Sequence, residues 1–211
     1  MDIFPISLKL QQQPCLLVGG GKIAYRKAVL LAKAGAVIHV VAPEIEADLL
    51  DLVHATHGQY HPEKFNAEID LSSYRLVIAA TNDKAANQAV FEACENLNVL
   101  VNSVDDIPHC RFMLPAMIDR SPLIVSVATN GASPVLARQI RTQLEASIPH
   151  GMGKLADFSG KWRKVVKEKI TNPDERRIFW EDLYASPLKE HVFNDDVVEA
   201  DRLIEQALLE W

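Results

Sequence analysis

The first residues whose type and spacing suggest chemistry are three consecutive glycines, Gly19, Gly20 and Gly21. With Ala24 they give the pattern G-x-G-x-x-A, the spacing of a dinucleotide fingerprint. In that pattern the first glycine permits a tight turn and the second lets backbone approach a pyrophosphate. The small third residue lets helix and strand pack closely. A helix beginning here turns unpaired N–H groups and its positive dipole end toward the phosphates. A second polar cluster, Thr81-Asn82-Asp83, follows an apolar run. Polar residues at the carboxyl end of a parallel strand face the ligand crevice, and Asp83 is also suited to cap the next helix.

Several elements must position these groups. Cys15 to Val18 reads as a buried strand, followed by a helix with Ile23, Ala24, Ala28 and Leu31 at helical spacing, ending near Ala34-Gly35. Val37 to Ala42 is the second strand, and His39 within it reads as a core or edge histidine. NAD-binding folds often place an acid at the tip of this strand to hold the adenosine ribose. Here the tip is Val41-Ala42-Pro43, with Glu44 slightly late. Either Glu44 and its neighbouring backbone hold the ribose, or it is held loosely. No Arg or Lys stands between Val37 and Ala47, which favours NAD over NADP. Glu44 to His57 reads as a helix, and His54, His57 and His61 as its solvated end. Leu76 to Ala80 is a third strand, Lys84 to Asn96 a helix, and Val99 to Asn102 a fourth strand leading into Ser103 to His109. This alternation predicts an α/β fold, a Rossmann-type doubly wound parallel sheet.

From Phe112 the rhythm changes. Phe112 to Ile118 and Leu123 to Val127 read as paired extended segments around a turn at Asp119 to Pro122. A second turn, Thr129 to Ala132, leads to Ser133-Pro134, an N-cap followed by a proline at the first helical position. The helix from Val135 to Ser147 carries Arg138 and Arg141. Pro149 to Gly153 reads as a hinge, and the remainder as three helices, Lys154 to Ile170, Asp174 to Tyr184 and Leu188 to about Leu209. Lys154 to Arg177 holds eight bases against four acids, and Glu181 to Trp211 nine acids against two bases. Two solvated faces explain that contrast, as does a basic wall that attracts an anionic substrate.

The 211-residue chain has a formal charge of −6, which argues against general affinity for nucleic acid or anionic membrane. No apolar run approaches the roughly 20 residues that span a bilayer. The N-terminus carries an acid at position 2 and no positive n-region, so it does not read as a secretory signal. Cys15, Cys94 and Cys110 are widely spaced with no C-x-x-C, as expected of reduced cytoplasmic thiols without structural zinc.

Several motifs occur together and in order: PISLKL, CLLVGGGKIAYRKAVLLAKAGA, LVIAATND, NSVDDIP, FMLPAMIDRSPLIVSVATNGASPVLAR and RRIFWEDL. Together they resemble the precorrin-2 dehydrogenase/sirohydrochlorin ferrochelatase family, the N-terminal module of siroheme synthase, over nearly the whole chain. The methyltransferase part of a fused siroheme synthase is absent, as in a stand-alone form. The resemblance implies a nucleotide-binding domain at residues 1–113, a small dimerisation segment at 114–150 and a helical C-terminal domain at 151–211. It implies NAD-dependent oxidation of precorrin-2 to sirohydrochlorin, with Fe2+ as substrate of a further insertion step that gives siroheme. It also implies a homodimer in which the middle segment and the helical tail complete the cleft.

Carried over motif by motif, the family's catalytic aspartate falls on Asp105, with Asp106 beside it as the alternative inward carboxylate. Its NAD contacts fall on Gly19, Gly21, Lys22, Ile23, Pro43 and Glu44, with Thr81 as a further neighbour. The eight carboxylates of precorrin-2 need donors, for which Arg111, Arg120, Arg138 and Arg141 are candidates, with the helix start at Ser133. Where fused relatives often carry serines before SPVLAR, this chain has Ala128-Thr129-Asn130, so Thr129 keeps a hydroxyl. No dedicated metal site is visible. The chemistry agrees with the assignment of Asp105, because the oxidation releases a hydride to nicotinamide and a proton to a base. Two other readings stay open: a dehydrogenase without chelatase activity, and a non-catalytic NAD(H)-sensing module.

Overall fold

Alternate residues of the first strand point to opposite faces, and both faces are apolar. The computed structural model describes residues 2–66 and 68–211. In it β1 (Pro14–Val18) sends Cys15 and Leu17 into one core and Leu16 and Val18 into another. A strand apolar on both faces must be covered on both, which is the condition of a parallel sheet between helical layers. Around β1 lie β2 (Val37–Val41), β3 (Tyr60–His61), β4 (Leu76–Ala79) and β5 (Leu100–Ser103). The sheet order is β3-β2-β1-β4-β5 and every pair is parallel. The fold is therefore the α/β doubly wound arrangement expected from the alternation. Winding reverses between β1 and β4, and that reversal opens a crevice at the strands' carboxyl ends.

The first core packs α1 (Lys22–Lys33) and α2 (Ala47–Ala55) through Ala24, Ala28, Leu31, Leu49 and Val53. The second packs α3 (Lys84–Leu97) through Val90 and Cys94 against Val77, Ala79 and Val101. The chain separates into two compact units, one ending at Leu114 and the other beginning at Pro115.

In the second unit β6 (Ala116–Arg120) and β7 (Leu123–Val127) form an antiparallel pair around Ser121-Pro122. Four residues expected in the first of these segments, Phe112 to Pro115, lie outside it. Pro115 has no N–H to give a ladder, so pairing starts at Ala116. Ser133 caps α4 (Pro134–Ser147), its hydroxyl accepting from the Leu136 N–H at 3.2 Å. Helices α5 (Gly151–Lys169), α6 (Pro173–Ala185), α7 (Leu188–Phe193) and α8 (Val197–Leu209) follow. Leu155, Phe158, Val166, Phe179, Leu183, Leu188, Val192 and Ile204 form their core.

The expected hinge at Pro149 to Gly153 is mostly the first turn of α5. Its glycines serve packing: a Cβ on Gly151 would lie 2.4 Å from the Phe193 ring, and one on Gly153 2.3 Å from the Arg120 carbonyl oxygen. The expected single last helix is two helices, α7 and α8, because Asp195 between them adopts φ 60°, a left-handed conformation that ends a helix. The two-residue β3 carries too little pattern to be read from sequence.

Candidate functional site

The glycine turn is wedged between two other loops, and each glycine has a separate reason. Gly19 adopts φ +118°, and a Cβ there would lie 2.5 Å from the Ala80 carbonyl oxygen. A Cβ on Gly20 would lie 2.0 Å from the Glu44 carbonyl oxygen, and the Gly20 carbonyl accepts from the Glu46 N–H at 2.8 Å. Gly21 has ordinary extended backbone, φ −90° and ψ −175°, and a Cβ on it would meet nothing within 4 Å. Space is thus left at Gly21 where a ligand would approach. Gly21 is also the N-cap of α1 and offers no side chain to the helix start, whose N–H groups point outward.

These loops enclose a cavity of about 490 Å³. It brings together Gly19, Gly21, Lys22, Ile23, Pro43, Glu44 and Thr81, the full set of nucleotide contacts expected from sequence. Gly20 of the glycine turn and Asn82 of the polar cluster after β4 also line it, as do Ala42 and Ala80, which were read only as strand-end residues. These two each sit directly beside an expected residue at the end of β2 or β4, which is the signal that would have found them. The donors suit a dinucleotide: a helix start with unengaged N–H groups, the Lys22 ammonium, and bare backbone at Gly21 for a pyrophosphate. Glu44 stands on the β2 side, where the adenosine ribose of a bound dinucleotide lies.

A buried amide supports the β4 side. Asn87, on α3 and only 8% exposed, accepts from the Thr81 N–H at 3.2 Å and hydroxyl at 2.7 Å, and donates to the Thr81 carbonyl at 3.0 Å. Asp83 caps α3, its carboxylate accepting from the N–H groups of Ala85 and Ala86.

The loop after β5 is pinned at its neck. Asn102, also 8% exposed, donates to the Phe112 carbonyl at 2.9 Å and to Cys110 Sγ at 3.3 Å. The Cys110 thiol in turn faces the carbonyls of Ser103 at 3.1 Å and Asp106 at 3.2 Å. Burial pushes this thiol's pKa up. Within the loop the two adjacent carboxylates differ. Asp106 is engaged by His109 Nδ1 at 2.7 Å. Asp105 is exposed, with a left-handed φ of 60° that a short polar side chain tolerates. Lys27 of α1 feels both Asp105 and Cys110; burial and then Arg26 lower its pKa, while those two groups oppose the shift.

The candidates of the second unit fall into two kinds. Arg141 donates from Nε to the Met117 carbonyl at 3.1 Å and pairs with Glu145 at 2.8 Å. Arg120, its side chain 9% exposed, donates to the Ile148 carbonyl at 3.1 Å, the Asp119 carbonyl at 3.0 Å and Glu145 at 3.3 Å. Thr129 Oγ1 accepts from the Ser133 N–H at 3.2 Å, which ties the turn to the start of α4. Arg138 is exposed. In the first unit, Arg111 pairs with Glu95 and lies 4.8 Å from the centre of the Phe91 ring. Among the described residues no three His, Cys, Asp or Glu side chains are grouped to hold a metal ion, and no helix is long and apolar enough to cross a membrane.

Comparison with known proteins follows the same division of the chain. A family model described as "Putative NAD(P)-binding" matches residues 6–116, one for the sirohaem biosynthesis protein central region matches 120–147, and one for the sirohaem synthase dimerisation region matches 151–208. The last of these lies C-terminal to the 114–150 segment expected to dimerise. The siroheme synthase of Acinetobacter baylyi is 64% identical over 100% of this chain and 46% of its own length. That of Chromobacterium violaceum is 46% identical over 99% of this chain and 44% of its own length. The chain therefore spans about half the length of these curated relatives. A solved structure described as "SirC, precorrin-2 dehydrogenase" superposes with a TM-score of 0.75 at 24% identity, covering 99% of this chain and 100% of that one, a likeness of fold.

Proposed function

This chain belongs to the siroheme synthase family of NAD(P)-binding proteins, and we propose that it oxidises precorrin-2 to sirohydrochlorin with NAD+ as hydride acceptor. One observation carries the reading: the glycine turn, the bare start of α1 and the ends of β2 and β4 line a single cavity, and the next loop along the sheet holds Asp105. Bound in this cavity, NAD+ supplies the acceptor for the hydride.

The protein's own residues do the rest. Backbone N–H groups at the start of α1 and Lys22 hold the pyrophosphate. Glu44 accepts from the adenosine ribose, which selects NAD over NADP. Asp105 takes the proton that leaves with the hydride, and it is preferred to Asp106 because Asp106 is already committed to His109. Arg138, Arg141 and Thr129 are the candidates for the substrate carboxylates. Arg138 leads, since its side chain is exposed while Arg141 is spent on Glu145 and Met117. Insertion of Fe2+ into the product by the same chain, with Asp105 accepting pyrrole protons, is the second step we propose. The working unit is a cytoplasmic homodimer joined through its dimerisation region, acting on a tetrapyrrole and not on nucleic acid or membrane. Residues 1–113 serve the nucleotide, 114–150 serve assembly and carry the candidates for the substrate carboxylates, and the helical domain 151–211 serves assembly.

Purified protein given precorrin-2 and NAD+ is expected to form NADH and sirohydrochlorin together. Asp105→Asn, which tolerates the left-handed backbone, is expected to lower that rate by about 10²–10⁴-fold while NAD+ still binds. Unchanged turnover would remove Asp105 from the mechanism. NAD+ binding without tetrapyrrole-dependent NADH would favour a sensor, and sirohydrochlorin with Fe2+ and no NAD+ tests the insertion step alone.

A further inference from the structure

We propose that Asn87 is a positioning residue that sets the nicotinamide-side wall of the nucleotide cavity through Thr81; this rests on the NAD reading above. Asparagine is a poor choice inside a helix, and a buried amide is costly unless its bonds are made. Asn87 makes them all to one residue. Its Oδ1 accepts from the Thr81 N–H and hydroxyl, and its Nδ2 donates to the Thr81 carbonyl. An amide carries a donor and an acceptor side by side at every pH, and so can pair with both polar groups of a single residue's backbone in this way.

The consequence lies on the other side of that residue. A Cβ on Gly19 would sit 2.5 Å from the Ala80 carbonyl oxygen and 3.2 Å from the Thr81 nitrogen. The Ala80–Thr81 peptide is therefore held between the glycine turn and Asn87. Ala80, Thr81 and Asn82 form the β4 wall of the cavity, opposite Pro43 and Glu44 at the end of β2. In a doubly wound sheet the adenosine half of the dinucleotide lies toward β2, so the nicotinamide half lies toward β4. Asn87 thus acts on one half of the ligand without touching it.

Direct binding of NAD+ and of ADP, which lacks the second ribose and the nicotinamide, separates the halves. Asn87→Leu is expected to weaken NAD+ by about tenfold, or about 1.4 kcal/mol, and to leave ADP within about twofold. Asn87→Asp keeps the accepting oxygens but repels the Thr81 carbonyl when ionised. Its carboxyl can donate when protonated, so NAD+ affinity is expected to recover as pH falls, relative to wild type at the same pH. This comparison cancels the titration of Asp83, which caps the same helix and is present in both proteins. If the Leu variant does not fold, the Asp variant carries the test. Equal loss of NAD+ and ADP, wild-type affinity in the variants, or no recovery of the Asp variant at low pH would overturn the proposal. A wild-type protein that binds ADP but not NAD+ would do the same. A wild-type protein that binds neither ligand would instead overturn the nucleotide reading, and this proposal with it.

Discussion

The unit ending at Leu114 and the unit beginning at Pro115 are stabilised in different ways, and so their functional residues are legible to different degrees. In the first, aliphatic strands bury both faces, and the candidate cavity is lined largely by backbone at the strand ends. Backbone chemistry leaves a record in sequence, because only glycine permits it. In the second, the core is helical and mostly aliphatic, with Phe158 and Phe179 enclosed in it, and candidate groups are long charged side chains. An arginine's letter does not say whether it meets a ligand or a neighbouring carbonyl. Arg120 and Arg141 turn inward to Glu145, while Arg138 faces outward.

Substitutions can break this contrast or sharpen it. The largest effect is expected from Gly19→Ala, which forces a Cβ into the Ala80 carbonyl in a backbone conformation costing about 1–3 kcal/mol by itself. Thermal melts should show a clear drop and NAD+ binding should vanish. Gly21→Ala is its counterpart. Its melting temperature should match wild type, because the new methyl meets nothing, while calorimetry should show NAD+ weakened about tenfold. A variant that binds NAD+ normally would mean the ligand does not approach at Gly21.

Next comes Arg120→Ala, expected to cost about 1–3 kcal/mol because it removes a largely buried guanidinium that donates to the Ile148 carbonyl, the Asp119 carbonyl and Glu145. Arg138→Ala should leave stability within about 0.5 kcal/mol and instead raise KM for the tetrapyrrole. Reversed outcomes would dissolve the distinction between the two arginines.

The smallest effect concerns pH. Burial, and then the nearby His61, lower the pKa of His39 from its ordinary 6.5, and His39 Nδ1 is buried without a hydrogen-bond partner among the described residues. Below pH 6.5 the unfolded chain takes up a proton that the folded chain refuses, so stability falls as pH drops, and it levels off beneath the depressed folded value. His39→Gln should flatten that part of the melting-temperature profile.

Periodicity revealed most of the first unit. Continuous apolar runs marked β1, β2, β4 and β5, and their ends marked the cavity. What escaped was side-chain pairing across loops: nothing near Asn87 or Asn102 in the chain says that each amide clasps a loop, Thr81 in one case and Phe112 in the other. Which of Asp105 and Asp106 is engaged by a neighbour was not visible in sequence for the same reason, since the His109 contact to Asp106 is a fact of loop geometry. In the second unit, Gly151 and Gly153 looked like interruptions because sequence cannot distinguish a glycine that bends from one that makes room.

The clasp at Cys110 has a practical corollary. Burial pushes the thiols of Cys15 and Cys94 up to about 11 and about 12, and both side chains are fully enclosed. Cys110 is only half-buried. An alkylating dye would therefore mark one position in the native protein, at the neck of the segment that carries Asp105. Its rate of uptake, slowed by the burial that raises this thiol's pKa as well, would gauge how well the neck of that segment is shielded, a reporter already present in the natural chain.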